Sequence, residues 1–236
     1  MDSIAVSQAI LDRYLKVPTA TIFSALNKWG YDSAFMEDVQ CMTPGRRIAG
    51  RARTLRTLPT RPDLREEVFV RENSPEYRAM SLCGPGDVLV VDSMRLPYAT
   101  VLGDVKLLQL KHQGAGGFVT DGAIRDLDIV AEYGFAIFAQ RRTPTAREYG
   151  EPYEADVAIQ CAGVLVRPGD IIVGDNDGVM VIPAKLAVEV LEWAELHELA
   201  EEHVKQRIEA ERCVPGRYYP PSDALKAELK SRGPKI

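Results

Sequence analysis

The sequence predicts an α/β fold built on a parallel or mixed sheet, and three observations predict it. Compact apolar runs (DVLVVDS, GGFVTDG, AIFAQ) alternate with amphipathic stretches (GDVKLLQLKHQG, IRDLDIVAEYG) across residues 87–140. Strand–helix–strand order of this kind is met by crossovers within one sheet. The strand candidates are apolar at nearly every position, as strands covered on both faces are. Residues 157–183 then change to short apolar runs divided by glycine and proline turns, a pattern of further strands.

Taken in order, Val6, Ala9, Ile10 and Tyr14 recur at helical spacing over residues 5–16, and Pro18 ends that helix. Thr19 or Thr21 is placed to cap a second helix, TIFSALNKWG, which Gly30 closes. Pro44-Gly45 marks a turn, and RIAGRARTLRTL alternates like a strand. Residues 59–75, rich in proline and charge, read as a loop. EYRAMSLC reads as a short helix, and Gly84-Pro85-Gly86-Asp87 as a turn before the first buried strand. Gly103 precedes the amphipathic helix and Gly114 ends it. Gly134 ends the helix after it. VAIQ, VLV, DIIVGD and GVMVIP are short strands, with an Asp-Gly hairpin signal at Asn176-Asp177-Gly178. The segment from Leu186 to Arg212 is one amphipathic helix of about 27 residues, long for a globular protein, and is expected to reach beyond the core of its own subunit. The proline-punctuated tail is a packed arm or a frayed end. Residues 1–210, with the N-terminal helices of 1–40 included, are expected to form one domain and 211–236 a C-terminal arm.

Composition bounds the function. Of 236 residues 46% are hydrophobic and 27% charged, ordinary for a soluble globular chain. The net charge of −5 supplies no positive field for phosphates, so nucleic acid is not an expected partner. Arg46, Arg47, Arg51, Arg53 and Arg56 are read as solvated side chains at alternating positions. Cys41, Cys83, Cys161 and Cys213 are scattered, without CxxC or a Cys/His cluster, which argues against structural zinc. The N-terminal stretch carries Asp2 and Asp12 and lacks the apolar centre of a signal peptide. No run approaches the length that spans a bilayer. A cytoplasmic protein with reduced thiols and no membrane partner is expected. There is no GxGxxG, P-loop or GxSxG, and GAGG at 114–117 leads into a strand rather than a helix.

The functional signal is concentrated in residues 103–126, GDVKLLQLKHQGAGGFVTDGAIRD. Asp104 opens the helix and Arg125-Asp126 follows the next strand, where ligands of open α/β sheets usually bind. A helix followed by a strand can bring Asp104 and Asp126 to one point. Carboxylates suit a hard cation such as Mg²⁺, Arg125 offers a planar fork to an oxo-acid, and the amides of Val105 and Lys106 can hold a carboxylate at the helix start. Plainer readings stand beside these: Asp104 as an N-cap, Arg125-Asp126 as a helix-capping ion pair, Lys106 as a solvated lysine rather than a Schiff-base amine. His112, His197 and His203 lack metal-pair spacing. Asp170, Asp175 and Asp177 are explained by turns, with Asp156 nearby.

These residues resemble the RraA-like family, which contains class II 4-hydroxy-4-methyl-2-oxoglutarate and 4-carboxy-4-hydroxy-2-oxoadipate aldolases and the regulators of ribonuclease activity A. TATIFSAL, RIAGRARTL, PGDVLVVD, LGDVKLLQLKHQGAGGFVTDGAIRD, AIFA and GVLVRPGDIIVGDNDGVMVIP carry the resemblance over about residues 17–210. It implies an α/β/β/α swivelling-type domain with a long C-terminal helix, assembled as a homotrimer or hexamer with active sites between subunits. It also implies a Mg²⁺ (or Mn²⁺ or Co²⁺) ion held directly by Asp126, through water by Asp104, and by Glu201 or Glu202 of a neighbouring subunit. Arg125 and the backbone at Gly103, Val105 and Lys106 match the positions that bind a 2-oxo acid. The activity implied is retro-aldol cleavage to pyruvate, with oxaloacetate decarboxylation at the same site. The alternatives are a non-catalytic regulator of ribonuclease E and an enzyme for another 2-oxo or sugar acid. Two departures from the family stand out: Lys106 occupies a usually apolar position, and the tail from 212 onward has no match to the aldolase ending.

Overall fold

A computed structural model describes residues 6–100, 102–145 and 149–232. Residues 1–5 and 233–236, the outer ends of the predicted domain and arm, lie outside the described residues. Two short helices come first, α1 (Gln8–Tyr14) and α2 (Thr19–Lys28), followed by β1 (Gln40–Cys41) and the long β2 (Ile48–Pro59). Then come α3 (Pro62–Val68), α4 (Pro75–Ser81) and β3 (Asp87–Asp92). The central crossovers are α5 (Asp104–Gln113), β4 (Gly117–Thr120), β5 (Ala123–Ile124), α6 (Leu127–Val130) and β6 (Ala136–Ala139). The remainder runs β7 (Arg141–Arg142), β8 (Gly150–Ala155), β9 (Ile159–Cys161), β10 (Val164–Val166), β11 (Ile171–Asp175), β12 (Gly178–Ile182), α7 (Ala187–Glu211) and α8 (Asp223–Arg232).

The main sheet is mixed, in the order β1-β6-β4-β3-β2-β11-β12, with β8 also paired to β2. β2, β3, β4 and β6 run parallel to their neighbours in this order, and β11 joins β2 antiparallel. The segment entering β1 nearly closes the sheet. Met36 N–H donates to Val179 of β12, and four residues later Gln40 pairs with Ala139 of β6. One connection therefore covers both edges, which would otherwise expose unpaired backbone groups.

The full burial of β3 and β4 follows from their position between layers. On one side α1, α2 and α7 bury Leu11, Ile22, Leu26, Val190 and Leu191 against β11 and β12. A second cluster, with Ile48, Val90, Val119 and Phe138, fills the inside of the curved sheet beneath β9 and β10. A third, with Met80, Leu89, Leu107, Leu110 and Phe118, joins α4 and α5 to the outer face. The α/β architecture and the long C-terminal helix are those expected from the sequence.

Several local expectations are corrected. Neither Thr19 nor Thr21 caps α2, whose N-cap is Pro18. Instead Thr19 N–H and O–H donate to Asp175 at 3.0 and 2.6 Å, and Thr21 O–H donates to Glu198. The expected loop at 59–75 contains α3, started by Pro62 in the first turn where its missing N–H costs nothing. The helix expected through Tyr133 stops as α6 at Val130 and tightens into a 3₁₀ turn. The arginines are not a solvated row. Arg51 bonds Asp87 at 2.7 Å, Arg56 bonds Glu154 at 2.8 Å, Arg53 lies 3.6 Å from Asp87, Arg47 lies 3.4 Å from Asp175, and Arg46 donates to the Phe135 carbonyl at 3.4 Å. These pairs tie β2 and its approach to neighbouring elements. Among its described residues the tail lies against α7: Arg207 stacks on Tyr218, and Lys226 of α8 lies over Trp193 of α7.

Candidate functional site

The site lies beyond the carboxyl ends of two adjacent parallel strands. β3 leads through residues 93–103 to the start of α5, and β4 leads through Asp121-Gly122 to Arg125-Asp126. A buried acid fixes both connections. Asp121 is fully buried and accepts hydrogen bonds from Ser93 N–H at 2.5 Å, Arg95 N–H at 3.1 Å, Ala162 N–H at 3.0 Å and the Gln160 side chain at 3.1 Å. Asp92, buried beside it, accepts from Met94 N–H at 2.8 Å and also from Gln160. Loss of solvation pushes the Asp92 carboxyl up to about 6, and nearby Asp121 adds to the effect. Met94 and Arg95 both take positive φ, at 58° and 54°, a conformation the carboxylate-to-amide bonds hold in place.

Asp126 also stands in the left-handed region, φ 57°, which aspartate tolerates better than most residues. It occupies the N-cap of α6 but makes no side-chain cap bond. Its carboxylate is turned instead to the head of α5. Oδ2 accepts from Arg125 Nε at 2.9 Å and from Asp104 N–H at 3.4 Å. A Cβ at Gly103 would lie 2.7 Å from that same oxygen and 3.1 Å from Arg125 Cγ, so the absent side chain is what lets the carboxylate and guanidinium sit on the helix start. Gly103 is the N-cap of α5 and Asp104 its first helical residue. Asp104 therefore is not an N-cap, and its carboxylate is not engaged in capping.

The structure thus brings Gly103, Asp104, Arg125 and Asp126 together. Val105 is 74% exposed at the first turn, and the N–H groups of this turn have no partner within the helix. The Lys106 ammonium is turned aside, 3.1 Å from the buried Glu76 and over the ring of Tyr77. Glu201 and Glu202 are elsewhere, on α7, where Glu201 lies 3.2 Å from His197 Nε2 and Glu202 accepts from Gln206. Among the described residues no group of three His, Cys, Asp or Glu side chains could hold a metal. Asp104 and Asp126 carry the hard oxygen donors that an ion such as Mg²⁺ prefers, and such an ion commonly keeps several waters.

One contact at the site has no local signal in the sequence. Tyr133 O–H donates to the Asp104 carbonyl at 3.2 Å. Its phenol is raised above the usual range, first by loss of solvation and then by the charges of Asp104 and Asp126. Nothing local in AEYG signals this; the contact depends on the 3₁₀ turn folding back.

Fold and site define a mixed α/β domain in which the Asp126 carboxylate, paired with Arg125, meets the Asp104 amide beyond the carboxyl ends of its parallel strands. The chain belongs to the RraA-like family, whose Aldolase/RraA pattern matches residues 19–181. It is 32% identical over 216 residues, 90% of this chain and 96% of the other, to a protein of Halalkalibacterium halodurans provisionally named a 4-hydroxy-4-methyl-2-oxoglutarate aldolase. Streptomyces coelicolor RraAS2, described as an unusual member of the RNase ES inhibitor RraA protein family, superposes with a TM-score of 0.77 at 31% identity over 86% of this chain and 99% of its own. An uncharacterized protein from Pseudomonas syringae pv. tomato shares the fold at a TM-score of 0.79 and 24% identity, covering 92% and 95% of the two chains. Among the described residues no helix is long and apolar enough to cross a membrane.

Proposed function

We propose that the chain is a divalent-metal-dependent lyase that cleaves a 4-hydroxy-2-oxo acid to pyruvate. The observation that carries this reading is the convergence of Asp126, Arg125 and the Asp104 amide within 3.4 Å at a helix start. The aldolase name of the H. halodurans relative supports it. Asp126 directly and Asp104 through water would hold Mg²⁺ (or Mn²⁺ or Co²⁺), with Glu201 or Glu202 of a neighbouring subunit completing the shell in a homotrimer or hexamer. When bound, the cation supplies Lewis-acid stabilisation of charge on the keto oxygen.

The chain's own residues do the rest. The amides of Val105 and Lys106 bind the substrate carboxylate at the positive end of α5. Arg125 fixes the oxygens of the 2-oxo acid and offsets the negative charge that grows there. Asp104, through a water, takes the proton of the C4 hydroxyl as the C3–C4 bond breaks. C4 departs as a carbonyl, and C3 of the pyruvate enolate receives a proton by the same route. A 2-oxo acid with a carboxylate on C3, such as oxaloacetate, would lose CO₂ through the same enolate.

A second reading, a protein-binding regulator of ribonuclease, is favoured by the likeness to RraAS2. It needs neither carboxylate. Pyruvate release from a panel of 2-oxo acids, with Mg²⁺ or Mn²⁺ and with EDTA, separates the two. Metal-dependent release supports the lyase, and no release under any condition supports the regulator.

A further inference from the structure

We infer that Tyr133 is a positioning residue of the proposed metal site: its hydroxyl straps the head of α5 to the far end of the α6 segment and so fixes where Asp104 stands relative to Asp126. The inference rests on the metal-binding half of the lyase reading above. Asp126 caps α6, and its carbonyl accepts from the N–H groups of Ile129 and Val130, both at 3.0 Å. The helix then tightens into the 3₁₀ turn Ala131–Tyr133, so Asp126 and Tyr133 are the two ends of one short helical unit. Both ends reach back to one residue of α5. Asp126 Oδ2 accepts from the Asp104 N–H at 3.4 Å, and the Tyr133 O–H donates to the Asp104 carbonyl at 3.2 Å. The backbone of Asp104 is thus held on both sides by the element that begins at Asp126.

The phenol is held in place, yet the helix does not need its hydroxyl to be satisfied. The ring meets Phe135 edge-on at 6.2 Å between centres, and the Lys111 ammonium of α5 stands 5.0 Å from its centre. A carbonyl at the first position of an α-helix accepts from the N–H four residues on, here Leu108, and has a second lone pair for the phenol. Loss of the hydroxyl therefore orphans no group on α5; what it removes is the tie. The tie matters more to one cation than to another. Mg²⁺ demands near-octahedral ligands at about 2.0–2.1 Å, whereas Ca²⁺ accepts roughly 6–8 oxygens at about 2.3–2.6 Å in flexible arrangements. A site whose acidic residues are strapped together favours the smaller ion, and loosening it penalises Mg²⁺ more than Ca²⁺.

The test is calorimetric titration of Mg²⁺ and, separately, of Ca²⁺ into the wild-type chain and into Tyr133→Phe, in the presence of pyruvate. Groups hydrogen-bonded to metal-holding residues commonly carry about 10- to 100-fold in affinity. Tyr133 acts through the backbone, so Mg²⁺ affinity should fall about 3- to 10-fold, the usual worth of one hydrogen bond, and Ca²⁺ affinity by less than about twofold. Tm should stay within a few degrees of wild type. Phe135→Leu, which takes away the ring edge and leaves the hydroxyl, should lower Tm and keep the Mg²⁺-to-Ca²⁺ ratio, which separates packing from the tie. Unchanged Mg²⁺ affinity in Tyr133→Phe, an equal loss for both ions, a chain that no longer folds, or a ratio moved as far by Phe135→Leu overturns the strap and leaves the lyase reading in place. The affinities are read without turnover, so the lyase reading fails on a different result, absence of pyruvate from every 2-oxo acid. Failure of the wild type to bind Mg²⁺ overturns both.

Discussion

Gly103→Ala isolates the geometry of the site from its chemistry. The substitution adds one methyl group and removes no charged or polar side chain. The backbone at Gly103 has φ −139° and ψ −166°, an extended conformation that alanine adopts without strain. The added Cβ would sit 2.7 Å from Asp126 Oδ2, 3.1 Å from Arg125 Cγ and 3.3 Å from Arg125 Cδ. To restore ordinary contact the carboxylate must retreat by roughly 0.7 Å, and the arginine stem must move with it. Displacements of about 1 Å in positioned catalytic groups cost on the order of 100-fold in rate, so kcat/KM for pyruvate release should fall roughly 10- to 100-fold. Affinity for Mg²⁺, measured by calorimetric titration, should weaken in parallel. Stability should change little, because alanine for glycine at an N-cap costs about 1 kcal/mol or less. That corresponds to a few degrees of Tm in a chain of this size. A Gly103→Ala protein with wild-type turnover and wild-type Mg²⁺ affinity would refute the placement of Asp126 and Arg125 in the machinery.

Three further outcomes follow from named contacts. Arg125→Lys keeps the charge but loses the planar fork, and should lower turnover by two orders of magnitude or so if the fork supplies about 3 kcal/mol; unchanged turnover would remove Arg125 from the proposed chemistry. Asp121→Asn places an amide N–H₂ against backbone donors that now share two buried oxygens, and should cost about 2–4 kcal/mol in urea unfolding; a cost below about 0.5 kcal/mol would show that the turn holds itself. Asp92 governs a pH effect. Its folded-state carboxyl, raised to about 6, binds a proton more tightly than in the unfolded chain. The stability this brings is full below the unfolded value near 3.8 and is lost as pH rises through about 6. Asp92→Asn should therefore gain about 1–3 kcal/mol over wild type at pH 8, and the gain should shrink by pH 5; a gain that grows on acidification would reverse the assignment.

The elements legible in the sequence are those whose pattern is local. β3 and β4 announce themselves because their central positions are an unbroken apolar run, and α5 because Gly103 and Gly114 bracket a helical period. β8 does not: GEPYEA is polar and carries a proline, and it is a strand because it pairs with the far end of β2 from Leu55 to Pro59. The arginines of β2 looked solvated because their partners lie far along the chain: Asp87 is 36 residues from Arg51, and Glu154 is 98 residues from Arg56. The site divides in the same way. Asp104 opens α5 directly after Gly103, and Arg125 and Asp126 follow the apolar β4 and the short β5, so sequence alone marks them. Tyr133 meets the site only through tertiary folding. The role of Asp121, apparent in sequence only as a turn residue after β4, is set by amides contributed from residues 93, 95 and 162.

The most direct test of the central claim is calorimetric titration of Mg²⁺ into the wild-type chain and into Asp126→Asn, in the presence of pyruvate, paired with pyruvate release from a 4-hydroxy-2-oxo acid by the same two proteins. The account predicts Mg²⁺ binding and EDTA-sensitive release for the wild type, and loss of both on Asp126→Asn. Equal metal binding, or equal release that EDTA does not abolish, would contradict it.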